Sequence, residues 1–242
     1  MKGIILAGGH GTRLSPLTKV TSKQLLPIYN RPMIFYPLEK LLQSGIKEVL
    51  IIVAPDNAGD FLNLLGSGNQ YGAKFSYEIQ DEPKGLAEAF IIGENFIGND
   101  NVTLILGDNI FEADLTNPIQ SFKSGGRVLA IEVNDPERFG VVEFDEHGKV
   151  ISIEEKPSNP KSNFIIPGLY IYDNRVIGFA KELSKSERGE IEIVDLHNKY
   201  LSLGELDVEK VDGSWFDAGT FDSLLAAGVW ASQNTEKYFK KL

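Results

Sequence analysis

The sequence predicts an α/β fold in which a mostly parallel central sheet is flanked by helices and carries an inserted antiparallel portion. Three observations predict it. Strand-like and helix-like segments alternate through the first half of the chain. The strands there, such as Val49–Val53 and Val102–Leu106, are apolar at nearly every position, which is typical of parallel strands covered on both faces. After about residue 128 the pattern becomes strand-rich, which indicates antiparallel structure.

In the first half, each element follows from its local pattern. The predicted strands are Gly3–Leu6, Val49–Val53, Phe75–Ile79 and Val102–Leu106, and the predicted helices lie near Met33–Gln43, Ala58–Leu65 and Leu86–Glu94. Gly45 is a stop signal after the first helix. Pro37 lies within that helix, and we expect an irregular helix there because an interior proline removes a hydrogen bond.

The second half begins with a predicted hairpin, in which Gly140–Phe144 and Val150–Glu154 flank the turn residues 145–148. Helices are predicted near Arg175–Leu183, Ile193–Leu203 and Phe221–Gln233. Since no repeat or long linker interrupts the chain, we expect a single domain over residues 1–242. Its parts are about 1–127, about 128–220 and a C-terminal helix over about 221–242.

Composition excludes several classes of protein. The chain has 242 residues with 42% hydrophobic content, so it can bury a large core. Its net charge of −10 opposes binding to nucleic acid or an anionic membrane surface, so neither is an expected partner. With no cysteine and three histidines, disulfides are excluded and a zinc site is disfavoured. The apolar runs are too short to cross a bilayer and no leader is recognised, so we expect a soluble, cytoplasmic protein.

The segment Ile4–Arg13, IILAGGHGTR, predicts a phosphate-binding loop. An apolar strand leads directly into Gly8, Gly9 and Gly11, and glycines allow successive N–H groups to converge on one anion. The spacing matches neither a Walker A loop nor the dinucleotide fingerprint. The alternative is a tight strand-to-helix turn without a ligand.

Two aspartates are candidate metal ligands. Asp108 directly follows the buried strand LIL-Gly, so its carboxylate is expected in the crevice that the glycine loop borders. Asp217 precedes a glycine turn that opens the final helix. Together they suit Mg²⁺ whose remaining ligands are phosphate oxygens. Asp108 alone is equally explained as a helix or turn cap, and Asp217 alone is better explained as the N-terminal cap of the final helix.

Three cations lie at turns, where they are candidates for phosphate recognition: Arg13 after the glycine loop, Lys23 in TSKQLLP and Lys156 in EEKP. The alternative is that each is a solvated surface charge.

Nine segments, taken in order, resemble the sugar-1-phosphate nucleotidyltransferases from Met1 to about Val229. They are LAGGHGTRL, SKQLLPIYNRPMI, QDEPKGLAEAF, LGDNIF, DPERFGVVEF, IEEKP, GLYIYD, RGEIEIVDLHNKYL and WFDAGT. The resemblance implies a Rossmann-like nucleotidyltransferase fold. It also implies a reaction in which a sugar 1-phosphate attacks the α-phosphorus of a nucleoside triphosphate and pyrophosphate leaves. The attacking oxygen is already ionised, so no histidine base or serine triad is required.

The resemblance implies a role for each matching residue, with the nucleotide in the part of about 1–127 and the sugar in the part of about 128–220. The implied nucleotide-binding residues are Leu6, Ala7, Gly8, Gly9, Gly11, Thr12, Gln24, Gln80, Pro83 and Gly85. The implied catalytic cations are Arg13, Lys23 and Lys156, the implied sugar-binding residues are Gly140, Glu155, Gly168, Tyr170 and Glu192, and the implied Mg²⁺ ligands are Asp108 and Asp217. Trp215 lies in a matching segment.

The resemblance is strongest to the members that join dTTP to α-D-glucose 1-phosphate, giving dTDP-glucose, and it implies a homo-oligomer. UTP is the near alternative, because Gln80 meets the same pairing edge in uracil and thymine. A metal-dependent glycosyltransferase is a second alternative, although the sequence has Asp108-Asn109 in place of an Asp-x-Asp pair. A non-catalytic nucleotide-sugar sensor is the third.

Overall fold

A ten-stranded sheet runs through the molecule and helices pack on both of its faces. The structure is a computed structural model that describes residues 1–186 and 189–238. Within those residues the strands are β1 (Lys2–Ala7), β2 (Pro27–Ile28), β3 (Arg31–Pro32), β4 (Glu48–Val53), β5 (Lys74–Ile79), β6 (Val102–Leu106), β7 (Asn109–Phe111), β8 (Gly126–Glu132), β9 (Gly140–Phe144), β10 (Val150–Glu155), β11 (Phe164–Ile165), β12 (Leu169–Tyr172), β13 (Leu206–Lys210) and β14 (Trp215–Asp217). The helices are α1 (Phe35–Gln43), α2 (Ala58–Leu65), α3 (Glu88–Ile92), α4 (Glu94–Ile97), α5 (Thr116–Gln120), α6 (Val176–Glu182), α7 (Ile193–Ser202) and α8 (Phe221–Tyr238).

The strand order of the sheet is β10-β9-β11-β8-β12-β6-β1-β4-β5, and β13 pairs with β8. β6, β1, β4 and β5 run parallel. β12 runs antiparallel to both β6 and β8, so it joins the parallel strands to the antiparallel ones. The predicted α/β fold class, with its antiparallel portion, is therefore confirmed. The antiparallel portion includes β8, which the sequence reading did not delimit.

Both faces of β1, β4 and β6 are buried, which explains why their sequences are almost continuously apolar. In β1, Ile4 and Leu6 pack into the core on one face, whereas Ile5 and Ala7 pack into the core on the other. Burying a side chain such as Ile contributes about 1.5–3 kcal/mol. The β1 sequence is thus stabilised from two sides, and the loop that follows it has a rigid base.

Two predicted helices differ from the observed ones. α1 begins at Phe35, so Pro37 is its third residue and lies in the first turn. N–H groups in that turn have no partner within the helix, so Pro37 removes no helical hydrogen bond and the expected irregularity was wrong. The predicted helix Leu86–Glu94 is instead divided into α3 and α4 at Gly93. A Cβ on Gly93 would lie 3.0 Å from Ile4 Cδ1, so the bare backbone permits close packing on β1.

The predicted hairpin is confirmed by the antiparallel pairing of β9 with β10. Asp145 stabilises its turn, since its Oδ1 accepts hydrogen bonds from the backbone N–H groups of His147 and Lys149 at 2.9 and 2.8 Å. The predicted C-terminal helix corresponds to α8, and residues 239–242 of that prediction lie outside the described residues. In the part of the chain that the structure describes, every helix is too short or too polar to cross a lipid bilayer.

Candidate active site

A cavity of about 360 Å³ opens beside the carboxyl ends of β1 and β6. These strands are neighbours in the sheet, with Leu6 opposite Leu106, so the loops that follow them meet. Ligands of open α/β sheets bind in this kind of crevice. The predicted site residues that line the cavity are Leu6, Gly9, Arg13, Lys23, Gln24, Gln80, Pro83, Gly85, Asp108, Gly140, Glu155, Lys156, Gly168, Tyr170, Glu192 and Asp217, together with Trp215.

The two candidate metal ligands are brought together by a short strand pair. β7 and β14 are antiparallel, with Asp217 opposite Asn109. The backbone N–H of Ala218 donates to the carbonyl oxygen of Asp108 at 2.9 Å. This pairing places the carboxylates of Asp108 and Asp217 in the same cavity wall although they are far apart in sequence.

Asn109 holds the neighbouring groups in place, a role that the sequence reading did not assign to it. Its Nδ2 donates to Asp108 Oδ1 at 3.2 Å. Its Oδ1 accepts from Trp215 Nε1 at 2.7 Å and from the Gly168 N–H at 3.0 Å. One buried amide thereby links β7, β14 and the start of β12, and it orients the Asp108 carboxylate.

The electrostatic setting differs between the two carboxylates. Burial acts to raise the pKa of Asp108, but the positive charge and hydrogen bond of Lys23 outweigh it and hold that pKa below its usual value. Burial and the negative charge of Asp108 raise the pKa of Asp217, against the opposing charges of Lys23, Arg13 and Arg138. Two buried carboxylates that repel each other favour a cation between them.

Two of the predicted cations lie against these carboxylates. Lys23 Nζ donates to Asp108 Oδ2 in a partly buried ion pair. The Arg13 guanidinium lies at the Gly219 turn, where a Cβ on Gly219 would stand 2.9 Å from Arg13 Nη2 and 3.0 Å from Asp217 Oδ1. Gly11 has a φ of 61°, and a Cβ there would meet Lys23 Cβ at 3.1 Å. The absence of a side chain at Gly219 and Gly11 therefore allows Arg13 and Lys23 to approach the carboxylate pair.

Gln80 lines the cavity next to the glycine loop. Its side chain is 3% exposed, and its Nε2 donates to Glu88 Oε2 at 2.7 Å. Its Oε1 faces Gly8, where a Cβ would lie only 2.4 Å away. Gly85 has a φ of 109° and packs so closely on residue Ile191 that a Cβ would lie 2.3 Å from the Ile191 carbonyl oxygen. Gly8 and Gly85 thus shape the pocket around the Gln80 amide.

The remaining predicted residues gather near β9, β10 and β12. Lys156 adopts a left-handed φ of 44°, which is strained for a residue with a side chain, and its Nζ lies 3.2 Å from Glu155 Oε1. A Cβ on Gly140 would lie 3.5 Å from Glu155 Oε2. Burial raises the pKa of Tyr170, and the nearby charge of Glu155 adds to that effect, so its phenol stays protonated. Backbone strain at a cavity wall is typical of functional sites.

Four predicted residues do not line the cavity. Ala7 is buried at the end of β1, Gly8 packs on Gln80, Gly11 packs on Lys23, and Thr12 begins a short 3₁₀ turn. Conversely, the cavity wall includes residues to which the sequence reading gave no role: Asn109, Arg138, Glu190 and His197. Arg138 could have been noted as a candidate because it is a cation within the matching segment DPERFGVVEF. His197 lies in the matching segment RGEIEIVDLHNKYL, but nothing else in the sequence marks it. Arg188, the first residue of that segment, lies outside the described residues.

The residues present fit a divalent cation only in part. Among residues 1–186 and 189–238, no group of three or more acidic or histidine side chains is placed to hold a metal ion. Asp108 and Asp217 supply two carboxylates. Mg²⁺ characteristically uses one or two carboxylates and completes its octahedron with water and substrate phosphates. The donor set therefore fits a metal that is bound together with a phosphorylated substrate.

Comparison with known proteins gives the class. The model of the family described as "Nucleotidyl transferase" matches residues 2–234. The chain belongs to the nucleotidyl transferase family. The predicted family and enzyme class are thereby confirmed.

Individual relatives are similar over nearly the whole chain. A glucose-1-phosphate thymidylyltransferase of Neisseria meningitidis is 53% identical over 98% of this chain and 85% of its own length. A Bacillus anthracis protein described as a glucose-1-phosphate thymidylyltransferase, solved in complex with a sucrose, superposes with a TM-score of 0.91 at 47% identity, covering 96% of this chain and 95% of that one. A UDP-glucose pyrophosphorylase solved with UDP-glucose gives a TM-score of 0.83 at 26% identity over 96% of this chain and 98% of that one.

Proposed function

We propose that this enzyme transfers a deoxythymidylyl group from dTTP to α-D-glucose 1-phosphate and releases pyrophosphate and dTDP-glucose. The relatives named as glucose-1-phosphate thymidylyltransferases support this choice of substrates. The observation that carries the proposal is the pairing of β7 with β14, which sets Asp108 and Asp217 beside Lys23 and Arg13. Two carboxylates and two cations beside a glycine loop suit a triphosphate and its metal better than they suit an uncharged ligand.

In the proposed reaction, a phosphate oxygen of glucose 1-phosphate forms a bond to the α-phosphorus of dTTP. The bond from that phosphorus to the bridging oxygen breaks, and pyrophosphate leaves with the electron pair. Because the nucleophile is already an anion, the protein acts by alignment and by charge stabilisation. Arg13 and Lys23 would hold the triphosphate, and Lys156 would hold the sugar phosphate.

Asp108 and Asp217 would hold Mg²⁺, which when bound supplies positive charge to the phosphate oxygens. In the structure, the Lys23 ammonium is paired with the Asp108 carboxylate. With the triphosphate present, Lys23 would turn from the carboxylate to the phosphates. The two carboxylates would thus position the positive charge of the metal, and the Lys23 ammonium would stabilise the leaving pyrophosphate.

Gln80 would recognise the base. Its amide offers one acceptor and one further donor, which match N3–H and O4 of thymine. Uracil presents the same edge, so uridylyl transfer is the second candidate. The similarity to a UDP-glucose pyrophosphorylase supports uridylyl transfer as the second candidate. The other nucleotide contacts would come from the glycine loop, Gln24, Pro83 and Gly85.

The sugar would lie beside Gly140, Glu155, Gly168, Tyr170 and Glu192. Glu155 would accept hydrogen bonds from sugar hydroxyls. We further propose a nucleotide-binding part of about 1–127 and a sugar-binding part of about 128–220. The enzyme would act as a homo-oligomer in the cytoplasm, without nucleic acid or membrane partners.

A pyrophosphate-release screen tests the proposal. Four nucleoside triphosphates, with dTTP and UTP among them, are crossed with several sugar 1-phosphates in the presence of Mg²⁺. We expect the highest kcat/KM for dTTP with glucose 1-phosphate. A preference for UTP would favour the second candidate, and binding of dTTP without release for any sugar would contradict transfer.

A further inference from the structure

His197 is a buried histidine in the cavity wall with one ring nitrogen unaccounted for. It lies on α7 and is 0% exposed. Its Nδ1 is 2.5 Å from Tyr172 Oη, and its ring lies 5.2 Å from that of Tyr170, centroid to centroid. Its Nε2 is buried and meets no hydrogen-bond partner among the residues that the structure describes.

The Tyr172 contact determines which nitrogen carries the proton. Burial raises the pKa of Tyr172, so its hydroxyl keeps its proton. If that hydroxyl donates to Nδ1, only Nε2–H is left unpaired. If Nδ1–H donated instead, both the tyrosine proton and the Nε2 lone pair would lack partners. Since each unpaired buried polar group costs about 1–3 kcal/mol, the Nε2–H tautomer is favoured.

Burial also lowers the pKa of His197 to about 3, so the ring is neutral at physiological pH. The ring thus presents an uncharged donor. Such a donor suits a hydroxyl oxygen, whereas the phosphate groups are already served by Arg13, Lys23 and Lys156. Its Nδ1 is occupied, so the ring has no free lone pair with which to act as a base.

The position of His197 is on the sugar side of the cavity. Ile193, one helical turn earlier, lines the same cavity, as does Val194. Val194 Cγ2 would lie 3.1 Å from a Cβ on Gly140, a residue of the proposed sugar site. Tyr170, beside the imidazole, lines the cavity as well. The His197 ring therefore lies among the residues that would surround the sugar, and its buried Nε2 has no partner among the described residues.

We propose that His197 Nε2–H donates a hydrogen bond to one hydroxyl oxygen of the bound sugar and thereby contributes to sugar specificity. The proposal rests on the proposed function. Tyr172 is the positioning residue, because its hydroxyl fixes the tautomer. No bond is made or broken at His197.

The test compares deoxy analogues of the sugar substrate. With saturating dTTP, kcat/KM is measured for glucose 1-phosphate and for its 2-, 3-, 4- and 6-deoxy analogues. The variants are His197→Phe, which keeps a ring without nitrogens, and His197→Gln, which retains an amide N–H. His147→Phe is the matched control, because His147 lies on the exposed hairpin turn with its side chain 82% exposed.

We expect the native enzyme to lose about 5- to 10-fold on one analogue through the missing hydrogen bond. For His197→Phe, kcat/KM for that one analogue should no longer be lower relative to glucose 1-phosphate, and KM for dTTP should be unchanged. His197→Gln should restore part of the penalty, and His147→Phe should match the native enzyme. If His197→Phe kept the native penalty for every analogue, the proposal would be overturned.

A second readout does not depend on turnover. The chain has three histidines, so the His197 imidazole is readily assigned by histidine-selective NMR. The Nε2–H signal should be present in the free protein and should shift on addition of glucose 1-phosphate, and less so with the identified deoxy analogue. If the Nε2–H signal does not move on addition of glucose 1-phosphate, the proposal is overturned even if the native enzyme releases pyrophosphate. If the sugar phosphate binds and shifts the signal but no pyrophosphate is released, only the proposed transfer reaction is contradicted.

Discussion

Replacing Gly8 by alanine should impair nucleotide use without unfolding the protein. A Cβ at Gly8 would lie 2.4 Å from Gln80 Oε1 and 3.1 Å from Gln80 Cβ. The Gln80 side chain must therefore turn away, which breaks its 2.7 Å bond to Glu88. The severe 2.4 Å contact is with the end of the Gln80 side chain, and the 3.1 Å contact with Gln80 Cβ requires a shift of only a few tenths of an ångström.

The expected loss follows from the hydrogen bonds that Gln80 would make to the base. Two neutral hydrogen bonds contribute about 0.5–1.5 kcal/mol each, so about 1–3 kcal/mol is at stake. That corresponds to a decrease of about 5- to 150-fold in kcat/KM for dTTP. Thermal unfolding of the variant should differ from that of the native protein by only a few degrees.

A double-mutant cycle separates this cause from others. Gly8→Ala, Gln80→Ala and the combined variant are assayed for kcat/KM with dTTP. If Gly8→Ala acts through Gln80, the combined variant is no slower than Gln80→Ala alone. Losses that multiply in the combined variant would show that Gly8 acts on the nucleotide independently of Gln80.

Three further outcomes are expected. Asp108→Asn and Asp217→Asn should each lower kcat by roughly two or more orders of magnitude with the circular dichroism spectrum unchanged, since each removes a preorganised charge; near-native rates would show the metal assignment to be wrong. Lys156→Ala should chiefly raise KM for glucose 1-phosphate in steady-state assays, and an unchanged KM would exclude its contact with the sugar phosphate. The pKa of His197 falls from 6.5 to about 3 in the folded chain, so unfolding takes up a proton below pH 6.5 and stability declines as pH falls. Urea denaturation should show a loss of about 2 kcal/mol from this group between pH 6.5 and 5, at about 1.4 kcal/mol per pH unit; His197→Phe should lack that component, and a pH dependence equal to the native one would contradict the low pKa.

β1, β4 and β6 could be predicted from the sequence because burial on two faces leaves an almost continuous apolar run. Val49–Val53 and Val102–Leu106 show this directly. β13 could not be predicted in the same way. Its sequence, LDVEK over Leu206–Lys210, carries charges at three of its five positions, and the strand pairs with β8 alone. The sequence of such a strand reflects its exposure to solvent more than its pairing, so it gives no clear strand pattern.

Within the candidate site, the sequence indicated the chemical groups but not their contacts. Lys23, Asp108 and Asp217 were candidates from their positions at turns and strand ends. Their meeting depends on the pairing of β7 with β14, which is only three residues long and carries no periodic signal. Tertiary packing likewise determines the hydrogen bonds of Asn109, whose partner Trp215 is distant in sequence. It also brings Tyr172 to Nδ1 of His197, which leaves Nε2 as the nitrogen without a partner.

A crystal structure with Mg²⁺ and a non-hydrolysable dTTP analogue tests the proposed roles of Asp108, Asp217 and Lys23. We expect the triphosphate to lie along the glycine loop, with the metal bound by Asp108, Asp217 and phosphate oxygens, and with Lys23 moved from Asp108 to the phosphates. A triphosphate bound elsewhere, with both aspartates turned away from it, would show these roles to be wrong.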